Sequence, residues 1–195
     1  MEMIKMHKLE SLVLVTSNKQ KLKEYQDMGL PFSVSEGQDL PEIIADPLTV
    51  ALYKAKAAGK NRLVEDTILM INGEEVIDIR WRIKELANYT EENPEIKWVV
   101  TLGYNTGEFI QLYQGVVECE IVSDVDVNNI PLDAVAFDPY LRPKGESRSF
   151  YQLWKDGVKA SFSPRTIAAQ MLLNEDVVMS ESVDAIPEWK GCYQS

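Results

Sequence analysis

Thr16, Ser17, Asn18 and Lys21 follow the apolar run Val13–Val15 and lead into a segment that carries Leu22, Tyr25 and Met28 at helical spacing. A strand that feeds a helix N-terminus collects backbone N–H groups and the positive end of the helix dipole at one point, which favours bound phosphate. Lys21 and Lys23 lie in the first turns, where a cation opposes the dipole unless an anion is close. Carboxylates come next, Glu42 after Leu40-Pro41 and the pair Glu65-Asp66 after Leu63-Val64. Such hard oxygen donors suit Mg²⁺, which one or two carboxylates hold together with substrate phosphates and water. Adjacent acids are common on solvated surfaces, but Asp66 is framed by Leu63-Val64 and Ile68-Leu69-Met70, and a carboxylate in an apolar frame requires a partner. Lys54 is a candidate counter-charge for phosphate; among Lys54, Lys56 and Lys60 it also reads as a solvated helix lysine. Late in the chain, Phe137-Asp138 could stack a base and accept from its ring N–H, while Arg165, near Lys159 and Ser163, could donate to a purine carbonyl. Taken singly, Phe137 reads as core and Lys159 or Arg165 as surface. His7 is the one histidine, which argues against a Ser/His/Asp triad or a histidine metal site, and the glycines form no P-loop or dinucleotide fingerprint. Phosphate chemistry here would run on carboxylates, a metal and lysines.

Composition narrows the partners. The 195 residues suit one domain, and 45% hydrophobic content is enough for a real core. A net charge of -11, from 31 acidic against 20 basic residues, repels nucleic-acid backbones, so no nucleic-acid partner is expected. A few lysines directed to one place can still override that field for a small phosphorylated ligand. Cys119 and Cys192 are too few for a disulfide scaffold and point to a reducing, cytoplasmic setting. Residues 1–10 contain no apolar leader, and no apolar run approaches the ~18 residues of a membrane span.

The elements that would hold these residues read as α/β. After the first strand and helix, Gly29 and Pro31 stop the helix, and Phe32, Val34 and the stretch from Gln38 through Asp39 to Glu42 form an extended return. Asp46-Pro47 gives an N-cap and a first-turn proline for a helix through Ala58 that Gly59 closes, with an apolar set of Val50, Ala51, Tyr53 or the Lys54 stem, Ala57 and Ala58. A second strand, Arg62–Val64, ends in Glu65-Asp66-Thr67, and Ile68–Ile71 runs on to a turn at Asn72-Gly73. Residues 76–87 read as a helix with Trp81 and Leu86 on its apolar side. The runs 96–102 and 109–122, on either side of Asn105-Thr106-Gly107, read as a long antiparallel hairpin. Ser163-Pro164-Arg165 opens a helix that carries Ile167, Ala168 and Leu172. The polar stretch around 175–195, with its single Trp189, is assigned no element.

In this order, Val15-Thr16-Ser17-Asn18-Lys19-Gln20-Lys21, Asp39-Leu40-Pro41-Glu42, Lys54, Leu63-Val64-Glu65-Asp66-Thr67, Phe137-Asp138-Pro139 and Lys159 with Ser163-Pro164-Arg165 resemble the Ham1-type inosine triphosphatase family of nucleoside triphosphate pyrophosphatases. The likeness runs from about residue 12 to 172 and rests on the series more than on any one piece. It implies a single ITPase-like α/β domain over 1–195, an elongated central mixed sheet with two lobes and a nucleotide cleft between them, a hairpin-rich lobe around 95–123, and a homodimer. The implied reaction is Mg²⁺-dependent hydrolysis of ITP, dITP or XTP between the α and β phosphates, giving the monophosphate and pyrophosphate.

Carried onto this chain, the resemblance gives the triphosphate to Thr16, Ser17, Asn18 and Lys21, with Thr67 alongside, and lets Lys54 neutralise it. Glu42 and Asp66 would hold the metal, and Asp66 or Glu65 would orient or deprotonate water. Phe137 would stack the base, Asp138 and Arg165 would read its edge, and Lys159 with Ser163 would contact the base or ribose side. Four departures stand out: Pro164 replaces a family histidine, Ser17 a glycine, Ile68 a glycine or cysteine, and the loop after the second strand is cut to Asn72-Gly73-Glu74-Glu75. Arg80-Trp81 only approximates a basic-aromatic pair of the family. A catalytically weak nucleotide-binding protein on the same scaffold, or a shifted base spectrum, is the alternative.

Overall fold

The computed structural model describes residues 12–28, 30, 33–36, 40–76, 85–86, 89, 93–123, 125–126 and 128–193. The expected stops Gly29 and Pro31, the extended positions Phe32, Gln38 and Asp39, His7, and the Arg80-Trp81 helix lie outside these residues. In chain order the elements are β1 (Val13–Thr16), α1 (Lys19–Asp27), β2 (Ser33–Glu36), α2 (Pro47–Ala58), β3 (Arg62–Ile71), β4 (Glu74–Glu75), β5 (Ile96–Asn105), β6 (Phe109–Ile121), β7 (Leu141–Pro143), α3 (Phe150–Lys155), α4 (Pro164–Asn174) and β8 (Met179–Ser182). The strands form a mixed sheet in the order β2-β1-β3-β5-β6-β7, with β4 on β3 and β8 on β6. β1 runs parallel to both β2 and β3, so the return after α1 is a crossover and not a hairpin. The α/β class and mixed sheet agree with the reading of the sequence. No helix among the described residues is long and apolar enough to cross a membrane.

Local chemistry sets α2. Asp46 accepts from Thr49 N at 3.1 Å and from the Thr49 hydroxyl at 2.6 Å, Pro47 occupies the first turn, and Gly59 ends the helix at φ 86°. Its buried face is Val50, Ala51, Leu52 and Ala55. The expected set is thus half right, because Ala57 is exposed and Ala58 only partly covered. Alanines lie inside because the helix rides close on β5: a Cβ on Gly103 would sit 3.0 Å from Ala55 Cβ and 3.1 Å from Ala51 O.

β3 corrects the idea of a strand ending at Glu65-Asp66, since it continues unbroken to Ile71. Side chains alternate along a strand, so Leu63, Glu65 and Thr67 take one face while Val64, Asp66 and Ile68 take the other. The turn beyond is as expected, with Asn72 and Gly73 at φ 53° and 83°. Val76, however, donates its N–H to Leu69 O at 2.8 Å and belongs to this hairpin, not to a helix. Of the expected 76–87 helix, the described Glu85 and Leu86 have 3₁₀ conformation, and residues 77–84 and 87 lie outside the described residues.

The long hairpin of β5 and β6 turns at Thr106–Gly107, where Thr106 N donates to Phe109 O at 2.9 Å and Gly107 adopts φ 94°. The polar stretch left without an element is ordered: β8 pairs antiparallel with Phe109–Leu112 of β6, and Ile186 enters the core beside Ala51, Leu52 and Ala55. Its polar composition hides this because backbone pairing needs no apolar side chains.

The chain divides into two compact units, one of Met1–Thr67, Val100–Gly115 and Arg165–Ser195, the other of Ile68–Val99 and Val116–Pro164. The first packs Ala51, Leu52, Ala55, Val64, Ile110, Leu112 and Ile186 into one cluster. The second stacks Trp98 edge-on to Phe137 at 5.2 Å and to Phe150 at 5.0 Å. The anticipated 95–123 hairpin is shared, with its tip in the first unit and its base in the second.

Candidate active site

In the first unit the polar residues gather on the two faces of β3. On one face Lys54, from α2, donates to Glu42 Oε1 at 2.6 Å and to Asp66 Oδ1 at 3.3 Å. One ammonium thus joins the two carboxylates singled out for a metal. Burial alone would lower the Lys54 pKa, but Asp66 and Glu42 outweigh it and raise it above the ordinary lysine value.

On the other face Glu65 is only 3% exposed. Arg165 Nε lies 3.2 and 3.1 Å from its two oxygens, Arg165 Nη2 lies 3.0 Å from Oε1, and the Thr67 hydroxyl donates to Oε1 at 2.6 Å. Lys21 Nζ approaches Glu65 Oε1 at 3.3 Å and the Glu65 carbonyl at 3.4 Å. Burial would push this carboxyl up, yet Arg165 and Lys21 hold it well below the usual carboxylate range. Desolvation wins the opposite contest at Lys21, whose pKa is lowered despite Glu65. Arg165 also donates Nη1 to Glu24 Oε2 at 2.7 Å.

The turn before α1 is closed by its own side chains. Thr16 Oγ1 accepts from Asn18 N at 3.1 Å, and Asn18 Oδ1 accepts from Lys21 N at 3.3 Å, which makes Asn18 the cap of α1. Ser17 is exposed at the turn.

The second unit holds another pair. Lys159 donates to Asp138 Oδ2 at 2.6 Å, both side chains being 7% exposed, and the ammonium lies 5.5 Å from the Trp98 ring centroid. Phe137, expected to stack a base, is 6% exposed and has its ring against Trp98. Ala136 before it takes φ 47°, a left-handed conformation that costs a non-glycine residue roughly 1–2 kcal/mol. Ser163 is buried ahead of Pro164, where α4 begins as expected.

The structure therefore joins Glu42, Lys54 and Asp66, separately joins Lys21, Glu65, Thr67 and Arg165, and pairs Asp138 with Lys159 in the other unit. Strand alternation is what parts Glu65 from Asp66. Sequence reasoning missed Glu24 and Trp98. Glu24 lies three residues after Lys21 on one helix face, and Trp98 alternates with Ile96 and Val100 toward a buried side; both signals were available.

The sequence profile of the Ham1 family matches residues 12–175. The chain belongs to the Ham1 family. An inosine triphosphate pyrophosphatase of Batrachochytrium dendrobatidis is 34% identical over 90 residues, which cover 41% of this chain and 47% of that protein. The chain thus matches about half the length of that relative. The charged and polar side chains joined above, from Lys21 to Arg165, lie inside the Ham1 match.

Glu42 and Asp66 fit a divalent cation by donor chemistry, because both are hard oxygen ligands already directed at one cation, the Lys54 ammonium. No group of three or more His, Cys, Asp or Glu among the described residues forms a closed metal cage. Mg²⁺ needs none, since substrate phosphates and water complete its shell.

Proposed function

We propose that this Ham1 protein is a nucleoside triphosphate pyrophosphatase that acts on non-standard purine triphosphates such as ITP, dITP and XTP, with Mg²⁺, as a cytoplasmic homodimer. The observation that carries the reading is Lys54 joined to both Glu42 and Asp66. Water attacks the α phosphorus, the bond to the bridging oxygen breaks, and pyrophosphate leaves the monophosphate behind. Glu42 and Asp66 would hold Mg²⁺, which would supply charge neutralisation at the phosphates. Lys54 adds a fixed cation beside them, and positioning plus neutralisation carry most phosphoryl-transfer catalysis.

The water-orienting role falls to Asp66 and not to Glu65. Glu65 spends its oxygens on Arg165, Lys21 and Thr67, and a carboxyl held so far down accepts protons poorly. Thr16, Ser17, Asn18 and Lys21 serve the triphosphate, with the Lys21 charge tethered by Glu65. Phe137, Asp138, Lys159 and Ser163 serve the base and ribose, and Arg165 is held as a partner of Glu65 and Glu24.

Pyrophosphate release from a panel of ITP, XTP, dITP and the four standard nucleotides with Mg²⁺ tests this. Turnover strongest on the deaminated purines is expected; no pyrophosphate from any of them refutes it. Asp66→Asn should lower kcat about a hundredfold or more with folding intact, the size of losing one transition-state contact.

A further inference from the structure

The segment after β8 carries no family motif and lies beyond the Ham1 match, yet it grips both elements that bring Glu42 to Lys54. On α2, Lys56 Nζ donates to Ile186 O at 2.7 Å and the Tyr53 hydroxyl to Pro187 O at 3.0 Å. Trp189 then stands edge-on to Tyr53, ring centroids 5.2 Å apart, and donates Nε1 to Cys192 O at 3.0 Å. A Cβ on Gly191 would meet Trp189 Cζ2 at 2.6 Å, so the indole lies directly against this backbone. The same Cys192 carbonyl accepts from Ile44 N at 3.0 Å, and Tyr193 forms an antiparallel bridge with Ile43. Glu42 is the residue just before that bridge.

Glu42 needs such help. Its side chain is 43% exposed, and residues 40–45 belong to no helix or multi-residue strand. A carboxylate facing water is placed only as well as its backbone, and a flexible segment would give up the Lys54 contact to solvent. Ile43, by contrast, is 2% exposed and locked by the bridge.

We propose that the Trp189–Tyr193 clasp is a positioning element that fixes Glu42 against Lys54. Its geometry stands without an activity; its catalytic consequence rests on the pyrophosphatase reading. Three variants test it: Trp189→Phe, which removes the Nε1 donor and trims the indole to a single ring, Gly191→Val, which displaces the indole, and Glu42→Gln as the benchmark. Two readouts need no nucleotide: hydrogen exchange at the Ile44 amide, referenced to the Val122 amide that donates to Tyr140 O at 2.8 Å, and the rate at which an amine-reactive reagent labels Lys54, referenced to Lys97. The clasp predicts Ile44 exchange at least tenfold faster in both clasp variants with Val122 unchanged, and Lys54 labelled at least threefold faster, as in Glu42→Gln. An unchanged Ile44 amide, or an open Ile44 with Lys54 labelled at the parent rate, overturns it. With nucleotide, the Mg²⁺ concentration for half-maximal pyrophosphate release should rise severalfold in Trp189→Phe and Gly191→Val while their kcat at saturation stays within twofold. If the parent protein releases no pyrophosphate, the pyrophosphatase reading falls, and the labelling arm still decides the clasp.

Discussion

Glu65→Gln keeps the shape of the side chain and removes its charge, which separates an internal anchor from a group that works on substrate. In the parent, the buried Glu65 carboxylate faces Arg165, Lys21 and Thr67 at distances from 2.6 to 3.3 Å. Removing one member of a buried ion pair leaves the other charge uncompensated and costs about 3–5 kcal/mol. Glutamine can still accept from Thr67, and Glu24 still meets Arg165 Nη1, so the low end, about 3 kcal/mol, is expected. For a domain of this size, that lowers the unfolding midpoint by roughly 6–12 °C at about 2–4 °C per kcal/mol. Thermal unfolding followed by circular dichroism reads the shift. Glu65→Leu with Arg165→Met should regain part of the loss, because both charges leave together. A Glu65→Gln protein that melts with the parent and yet releases no pyrophosphate would refute the anchor and return Glu65 to the chemistry.

Other perturbations address packing and ionisation. Gly103→Ala forces a methyl against Ala55 and Ala51 and should cost about 1–3 kcal/mol in urea unfolding, as overpacked cores do. Ala136→Gly relieves the φ of 47° and should raise stability by about 1 kcal/mol in the same assay. At alkaline pH, burial pushes the Cys119 thiol and the Tyr113 hydroxyl up to about 12 each. The unfolded chain then loses these protons first, from about pH 9, so stability should fall as pH climbs from there to about 12, and Tyr113→Phe should flatten the upper part of the decline.

What could be read in the sequence was local or serial. Asp46-Pro47 and Gly59 mark α2 because caps act within one turn, and Asn72-Gly73 marks its hairpin for the same reason. Glu42, Lys54 and Asp66 were legible as a set through motif order, and the fold brings them together. The Glu65 to Arg165 contact spans 100 residues and depends on which face of β3 each side chain takes. A strand that ends in Glu65-Asp66-Thr67 carries no such parity, whereas the continuous β3 does. The last segment was illegible because its few apolar anchors, Met179, Val183, Ile186 and Trp189, follow no regular hydrophobic period, and backbone pairing does the rest.

The Glu65–Arg165 pair also bears on how this chain can exchange parts with its relatives. Its partners sit on separate stretches of sequence, so a crossover anywhere from residue 66 to residue 164 draws one charge from each parent. A chimera stays sound only where both parents keep opposite charges at these positions. Segments inside that interval, including the long hairpin, can be traded without splitting the pair if both flanks come from one parent. Crossovers in such recombinants should therefore arise in twos, one on each side of the exchanged block.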